Sequence, residues 1–442
     1  MILRDYQIKS VREICASLDA NLHPLLVLPT GAGKTVIAGE IIRIHAARGE
    51  KIAFLAHRKE LIDQTSRKLD ESGVPHGIIR ADDFTRLDYR HAVQVCSIQT
   101  LVQRLHLGFN FDLLVFDECH HVAAATYLRI RRAFPLARAM GMTATPYRAD
   151  GQGLQEIFDV LIEGASIRSL TERGYLVPAR WFEGQAPDLR NLRTRNGDFR
   201  GDELERRVGD VQLVGDMLIE WRRHASQVLT VGFCVSIQHA RQCTDRFMAA
   251  GIPAAVLHGL MSNAEREDII ARWAARQTLV VFNVGVLTEG FDLPAVEAII
   301  LARPTASRGL WKQMVGRGLR PWPDKTHCIV LDHAGCRAMH SDYDAPETYS
   351  LEGEISNLDS EPTESSNYRR CKACGAQFKS RGLEACPVCL EPIPAHRRII
   401  EINGTLEEVL KPQEFCDDFD EICSSNFSKT VSKRIPFRKM RR

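Results

Sequence analysis

The chain has 442 residues, of which 44% are hydrophobic and 26% charged, and its formal net charge is +2. That composition excludes a disordered or fibrous protein, and no apolar run approaches the roughly 18 residues of a membrane-spanning helix. The charge by itself points to no nucleic-acid partner, and the start Met1-Ile-Leu-Arg-Asp-Tyr-Gln shows no basic stretch followed by an apolar one, so a cytosolic protein is expected.

Short apolar runs at Leu25 to Leu28, Ile52 to Ala56, Val93 to Cys96 and Leu113 to Phe116 read as buried parallel strands. Between them lie helical patterns at Val36 to Ala47 and Lys59 to Leu69. This alternation implies a doubly wound α/β sheet. It returns in Val228 to Val231, Ala254 to Leu257, Leu279 to Phe282, Ala298 to Leu301 and Cys328 to Leu331, so two such sheets are expected. The stretch from about 150 to 210 joins them and includes an Arg-rich piece from Arg190 to Arg200. Residues 342 to 367 carry eight acids and no Lys or Arg, which reads as a solvated linker, whereas the last eleven residues hold six basic side chains and read as a tail.

Leu28-Pro29-Thr30-Gly31-Ala32-Gly33-Lys34-Thr35 follows the first strand and opens a helix, the context a phosphate-binding loop requires. Gly31 and Gly33 let backbone N–H groups face phosphate, with the helix dipole adding favourable potential. Lys34 is expected to reach the β- and γ-phosphates and Thr35 to ligate Mg²⁺. The general pattern has glycine where this chain has Leu28. The strand Leu113 to Phe116 ends in Asp117-Glu118-Cys119-His120, carboxylates at the carboxyl end of a strand, where open α/β sheets bind ligands. Asp117 is expected to hold Mg²⁺ and Glu118 to orient or deprotonate water; a surface acidic turn is the alternative. His120 reads as a coupling residue rather than a metal ligand, because adjacent histidines without other spaced donors seldom form a site.

In order along positions 3 to 332, these blocks and seven more resemble the superfamily 2 helicases, where Leu28 is a normal residue. Arg4-Asp-Tyr-Gln7 resembles the family's adenine-reading segment. Ala56 to Leu61, containing Arg58, and Ser97 to Thr100, containing Gln99, resemble its strand-gripping blocks, and Thr143-Ala-Thr145-Pro resembles the block that couples hydrolysis to movement. In the second half Phe233-Cys-Val-Ser236 looks like the fourth block. Thr288-Glu-Gly290-Phe-Asp292 and Gln313-Met-Val-Gly-Arg317-Gly-Leu-Arg320 follow. The resemblance implies two tandem RecA-like domains with ATP and Mg²⁺ between them. It assigns nucleotide contacts to Arg4, Gln7, Pro29 to Thr35, Asp117, Gly290, Asp292 and Gln313, and nucleic-acid contacts to Arg58, Gln99 and Thr288. Arg317 and Arg320, three apart on an expected helix, are then arginine fingers from the second domain; a solvated basic helix face is the plainer reading of those two residues.

Of thirteen cysteines, nine are scattered singly and are assigned no function. Cys371, Cys374, Cys386 and Cys389 form two CxxC knuckles eleven residues apart, a pattern that satisfies tetrahedral Zn²⁺ and reads as a small zinc-ribbon-like element. A redox pair and an iron–sulfur site are the alternatives.

The expected organisation is a first RecA-like domain over 1–165, a connector over 166–210, a second RecA-like domain over 211–335, an acidic linker over 336–367, the zinc element over 368–395 and a basic-tailed segment over 396–442. The whole is similar to the bacterial RadD-like group and to phage helicases. That similarity implies an ATP-dependent helicase or translocase acting on DNA in preference to RNA, with a replication or repair protein as partner and no membrane association. A restriction-type motor subunit, an RNA helicase and a non-enzymatic zinc-ribbon adaptor with an inactive ATPase fold are the competing readings.

Overall fold

The computed structural model describes residues 3–81, 86–119, 124–147, 152–184, 194–195, 198–199, 204, 211–287, 293–353, 368–370, 377–379 and 406–409. Helix α1 (Asp5–Asp19) precedes β1 (Pro24–Val27), whose four residues are all buried. Then follow α2 (Lys34–Ala47), β2 (Ile52–Ala56), α3 (Lys59–Glu71), β3 (His76–Ile79), β4 (Val93–Ser97), α4 (Ile98–Arg104), β5 (Leu113–Asp117), α5 (Ala124–Ala133), β6 (Arg138–Thr143) and β7 (Val160–Glu163). The seven strands pair in parallel in the order β3-β4-β2-β5-β6-β1-β7. Alternate residues of β2 feed different cores: Phe54 lies in one cluster and Ala53 and Leu55 in the other. Both faces of the sheet are covered, which is why its strands read as continuous apolar runs.

Helix α6 (Ile167–Glu172) leads to β8 (Ala179–Glu183), and two short pieces, β9 (Thr194–Arg195) and β10 (Asp198–Phe199), pair antiparallel. The second lobe continues with α7 (Val211–His224), β11 (Thr230–Phe233), α8 (Ile237–Ala249), β12 (Ala254–His258), α9 (Asn263–Ala274), β13 (Val280–Val284), β14 (Ala298–Leu301), α10 (Arg308–Gly316), β15 (Cys328–Asp332) and α11 (Cys336–His340). Beyond it are β16 (Tyr368–Arg370), β17 (Gln377–Lys379) and β18 (Glu407–Val409). The second large sheet runs β12-β13-β11-β14-β15-β8-β18, parallel except for β18, which lies antiparallel on β8. Thus β8, from the expected connector, is a strand of the second sheet. One apolar core cluster runs without a break from Leu28 and Ile37 in the first lobe through Leu176 to Val315 and Trp311 in the second.

The tandem α/β architecture expected from the sequence is present. In the stretch where a zinc-ribbon-like element is expected, the described residues are β16 and β17, which pair antiparallel with Arg370 opposite Gln377; Cys371, Cys374, Cys386 and Cys389 lie outside the described residues.

Candidate functional site

In the first sheet β5, β6 and β1 are neighbours, so their carboxyl ends bring three sequence-distant blocks side by side, as open parallel sheets do at their ligand crevice. The loop after β1 turns through Gly31 at φ +85° and Gly33 at φ +86°. A β-carbon on Gly33 would meet the Gln7 amide nitrogen at 2.5 Å, so both its backbone angle and its surroundings require glycine. Gly33 caps α2, whose first residue is Lys34. The Lys34 ammonium is buried, 3.2 Å from the Glu118 carboxylate and 3.3 Å from the Leu28 carbonyl. Thr30 Oγ1 is buried without a hydrogen-bond partner among the described residues.

Asp117 ends β5 and is buried, and its carboxylate accepts the Glu118 N–H at 3.1 Å. Glu118 itself sits at φ +43°, in the left-handed region that non-glycine residues seldom occupy. The ion pair with Lys34 and the bond to Asp117 hold it there. Burial, then the Glu118 and Asp117 carboxylates, push the Cys119 thiol well above its ordinary value, so it stays protonated. His120 lies outside the described residues.

Behind the loop stands α1. The Arg4 N–H donates to the Gln7 side-chain oxygen at 2.9 Å, Tyr6 donates its hydroxyl to the Ala32 carbonyl at 2.7 Å, and the Gln7 amide reaches the same carbonyl at 3.4 Å. The Tyr6 ring lies 5.3 Å from that of Tyr175, and the Arg4 and Arg173 guanidinium groups stand 4.6 and 5.0 Å from the Tyr175 ring. Such cation–aromatic contacts help hold both arginines against the ring, and Arg173 is held as well by its ion pair with Asp5. Sequence reasoning named Arg4 and Gln7 and missed Tyr175, because a tyrosine after the Arg173-Gly174 turn carries no local signal.

Thr143 closes β6. Its hydroxyl donates to the Thr145 carbonyl at 2.6 Å and accepts the Thr145 N–H at 3.0 Å, a closed loop of bonds inside the core. Across from it lies α10 of the second lobe. A β-carbon on Gly309 would meet Thr145 Oγ1 at 3.1 Å, and one on Gly316 would meet Thr30 Cβ at 2.8 Å. Two glycines seven residues apart share one helical face, and here that face is what allows the second lobe to touch the phosphate loop. The contact continues past the helix: Arg320 Cγ stands 3.2 Å from a β-carbon built on Gly31, and the Leu176 side chain 3.4 Å.

The expected single helical face for both arginines is corrected by this geometry. Helix α10 ends at Gly316, Arg317 is its C-cap and is buried, and Arg320 lies in a bend beyond. The chain turns here because Gly318 is pressed against β15, where a β-carbon would stand 2.4 Å from Cys328 Sγ. Arg317 and Arg320 line a small cavity with Val231, Trp273 and Leu287. Gln313 is buried on α10.

Of the expected nucleic-acid contacts, Gln99 is exposed and its amide oxygen accepts the Ser97 hydroxyl at 3.0 Å. Arg58 donates across the cleft to the Gly285 carbonyl at 3.2 Å. Thr288, Gly290 and Asp292 lie outside the described residues.

A phosphate loop and a carboxylate pair on one parallel sheet, met by the arginine-bearing turn of a second, define the class of tandem-sheet helicase proteins. Residues 1–148 match the family described as type III restriction enzyme, res subunit, and residues 211–321 match the helicase conserved C-terminal domain, two matches consistent with a superfamily 2 helicase. The chain is 30% identical over 305 residues to the 51.5 kDa protein of a Lactococcus phage, a match covering 69% of this chain and 64% of that one. It is 26% identical over 361 residues to the DNA 3'-5' translocase XPB2 of Sulfurisphaera tokodaii, covering 72% of this chain and 78% of that protein. Among solved structures, the ATP-dependent type ISP restriction-modification enzyme LlaBIII bound to DNA aligns with a TM-score of 0.55 at 16% identity, over 75% of this chain and 27% of that one. The chain thus spans less than two thirds of the length of the first of these relatives.

Proposed function

We propose that the chain is a nucleic-acid-stimulated ATPase that works as a DNA helicase or translocase. The observation that carries this reading is the seating of α10 and Arg320 against Thr30 and Gly31, because it divides one nucleotide site between two lobes. The residues present fit ATP with Mg²⁺: two left-handed glycines open the loop backbone, and an ammonium and a carboxylate pair converge beside it. The nucleotide supplies the free energy of phosphoanhydride hydrolysis, with Mg²⁺ neutralising phosphate charge.

The chain's own residues divide the work. Arg4 and Gln7 flank the base side of the loop, Pro29 to Thr35 cradle phosphate, and Thr35 and Asp117 hold the metal. Lys34 leaves its partner Glu118 to pair with phosphate, which frees Glu118 to orient or deprotonate water. Arg317 and Arg320 supply positive charge from the second lobe, with Gly290, Asp292 and Gln313 completing that wall. Thr143, Thr145 and His120 transmit the change, since Thr145 lies against Gly309 of α10. Closing and opening of the lobes then becomes movement. Arg58, Gln99 and Thr288 grip the nucleic acid through its backbone, in a manner largely independent of sequence.

DNA is favoured over RNA as the track by the name of the archaeal relative, a DNA translocase. A motor subunit of a restriction-type complex is the second reading, favoured by the family matched over residues 1–148. We assign Zn²⁺ to Cys371, Cys374, Cys386 and Cys389, a reading supported by the antiparallel pairing of β16 with β17, whose partnered residues Arg370 and Gln377 stand on either side of Cys371 and Cys374 in the sequence. That element would serve a DNA or replication and repair protein contact. No helix among the described residues is long and apolar enough to cross a membrane, in keeping with a proposed cytoplasmic site of action.

ATP turnover measured without nucleic acid, and with single-stranded, double-stranded and forked DNA or RNA, tests the reading. Stimulation by DNA that is lost in Lys34→Ala supports it, and equal turnover under all conditions refutes it.

A further inference from the structure

The second lobe holds a cluster of donors that the nucleotide site does not use. Cys234 directly follows β11, and its N–H donates to the Asn283 carbonyl at 3.0 Å, which fixes it at the carboxyl edge of the sheet. Ser236 caps α8 by accepting the His239 N–H at 3.2 Å. The helix then carries His239 and Cys243 four residues apart, on one face. One ligand atom from each of Cys234, His239 and Cys243 lies within 4.8 Å of the others. All three residues are sealed from solvent, at 1%, 1% and 0% exposure.

Three observations set the cluster apart from ordinary core thiols. Neither ring nitrogen of His239 has a hydrogen-bond partner outside the cluster among the described residues, whereas buried His76 bonds through both of its own to groups beyond any such cluster. A buried imidazole so placed has only the two thiols to offset its desolvation. The two thiols are free, not joined in a disulfide. The donors, two sulfurs and one imidazole nitrogen, form a set that soft metal ions prefer. Tetrahedral zinc with Zn–S bonds of about 2.3 Å holds its sulfurs roughly 3.8 Å apart, so donor atoms that all lie within 4.8 Å of one another need only small side-chain rotations to close on an ion.

We propose that Cys234, His239 and Cys243 bind a thiophilic metal ion, Zn²⁺ in the first instance. Binding deprotonates both thiols, and the protons leave to solvent. The ion joins α8 to the end of β11 and so stiffens the second lobe. This site is separate from the Cys371 to Cys389 quartet and does not depend on the nucleotide reading.

The test uses the full chain with Cys371, Cys374, Cys386 and Cys389 all replaced by serine, which leaves the cluster untouched. Purified with Zn²⁺, it should retain about one equivalent by elemental analysis, and Co²⁺ in place of Zn²⁺ should give thiolate-to-cobalt charge-transfer absorption. Adding Cys243→Ser should remove most of both signals, whereas His239→Cys in the quartet-free chain that keeps Cys243 presents three thiols and should hold the metal with stronger charge transfer. A quartet-free chain that binds neither Zn²⁺ nor Co²⁺ overturns the proposal, as does a Cys234–Cys243 disulfide found by peptide mass in freshly purified protein.

Discussion

Gly316 of the second lobe lies against Thr30 of the first so closely that a β-carbon on Gly316 would stand 2.8 Å from Thr30 Cβ and 3.4 Å from the Thr30 carbonyl oxygen. Gly316→Ala must therefore push the lobes apart. Overpacking of this kind costs about 1–3 kcal/mol. Gly39→Ala on α2, where nothing stands within 4 Å, is the control; it should leave stability unchanged or raise it by about 0.5–1 kcal/mol through helix propensity. Thermal midpoints and DNA-stimulated turnover of the two variants check this: both quantities should fall for Gly316→Ala and neither for Gly39→Ala.

Lys34 and Glu118 neutralise each other in the cleft at 3.2 Å, so their substitutions should separate binding from chemistry. Lys34→Ala leaves a buried carboxylate without its counter-charge and removes the phosphate ligand, so nucleotide affinity and turnover should both collapse. Glu118→Gln keeps the shape and a hydrogen-bonding group, so nucleotide should still bind while turnover falls by about 10²–10⁴-fold, the usual contribution of a general base. Fluorescent-nucleotide titration beside steady-state turnover distinguishes the two.

Arg58 already spans the cleft to the Gly285 carbonyl. If it also meets a phosphate of the track, Arg58→Ala should weaken binding to single-stranded DNA of any sequence, and the slope of log affinity against log salt should drop by about one unit. Fluorescence anisotropy at several salt concentrations measures the slope. An unchanged slope removes Arg58 from the track contacts.

His76 is built to stay neutral. Arg86 donates to Ser66 Oγ at 2.8 Å, so the Ser66 hydroxyl donates to His76 Nε2 at 2.8 Å while His76 Nδ1 donates to the Val74 carbonyl at 2.9 Å. Burial is the main cause that holds its pKa below the ordinary histidine value. Between the two values the unfolded chain carries the extra proton, so stability is complete above about pH 6.5 and declines as the pH falls below it. Buried His333 acts in the same direction, with a pKa held down to about 3 by burial. The thermal midpoint should thus fall from pH 7 to pH 5, and His76→Gln should lower it at pH 7 while flattening its dependence on pH.

The strands that the sequence showed most clearly, Ile52–Ala56 and Ala298–Leu301, are continuous apolar runs in sheet interiors, and their bounds agree with expectation to the residue. Among the runs missed in the two large sheets, which also include β7 and β18, are β3, β6 and β8, whose sequences HGII, RAMGMT and ARWFE mix glycine, methionine or charge into short strands. Their pairing is set by neighbours rather than by local preference. The phosphate loop and the Asp117-Glu118 pair were evident because each requires particular residues at fixed spacing. The closeness of Gly309 to Thr145 was not, since a glycine within a helix announces close approach without saying to what. Likewise Cys234, His239 and Cys243 looked like scattered singletons, because one donor comes from a strand end and two from a helix, and only the packing of α8 on β11 brings them together.

The account stands most directly on what Arg317 and Arg320 do to bound nucleotide. With saturating single-stranded DNA, nucleotide affinity and turnover should be measured for Arg317→Ala and Arg320→Ala against the unaltered chain. The account predicts affinity within a few-fold of the original and turnover down by about 10³-fold or more, the scale of an arginine finger. Turnover that survives both substitutions would contradict a nucleotide site shared between the two lobes.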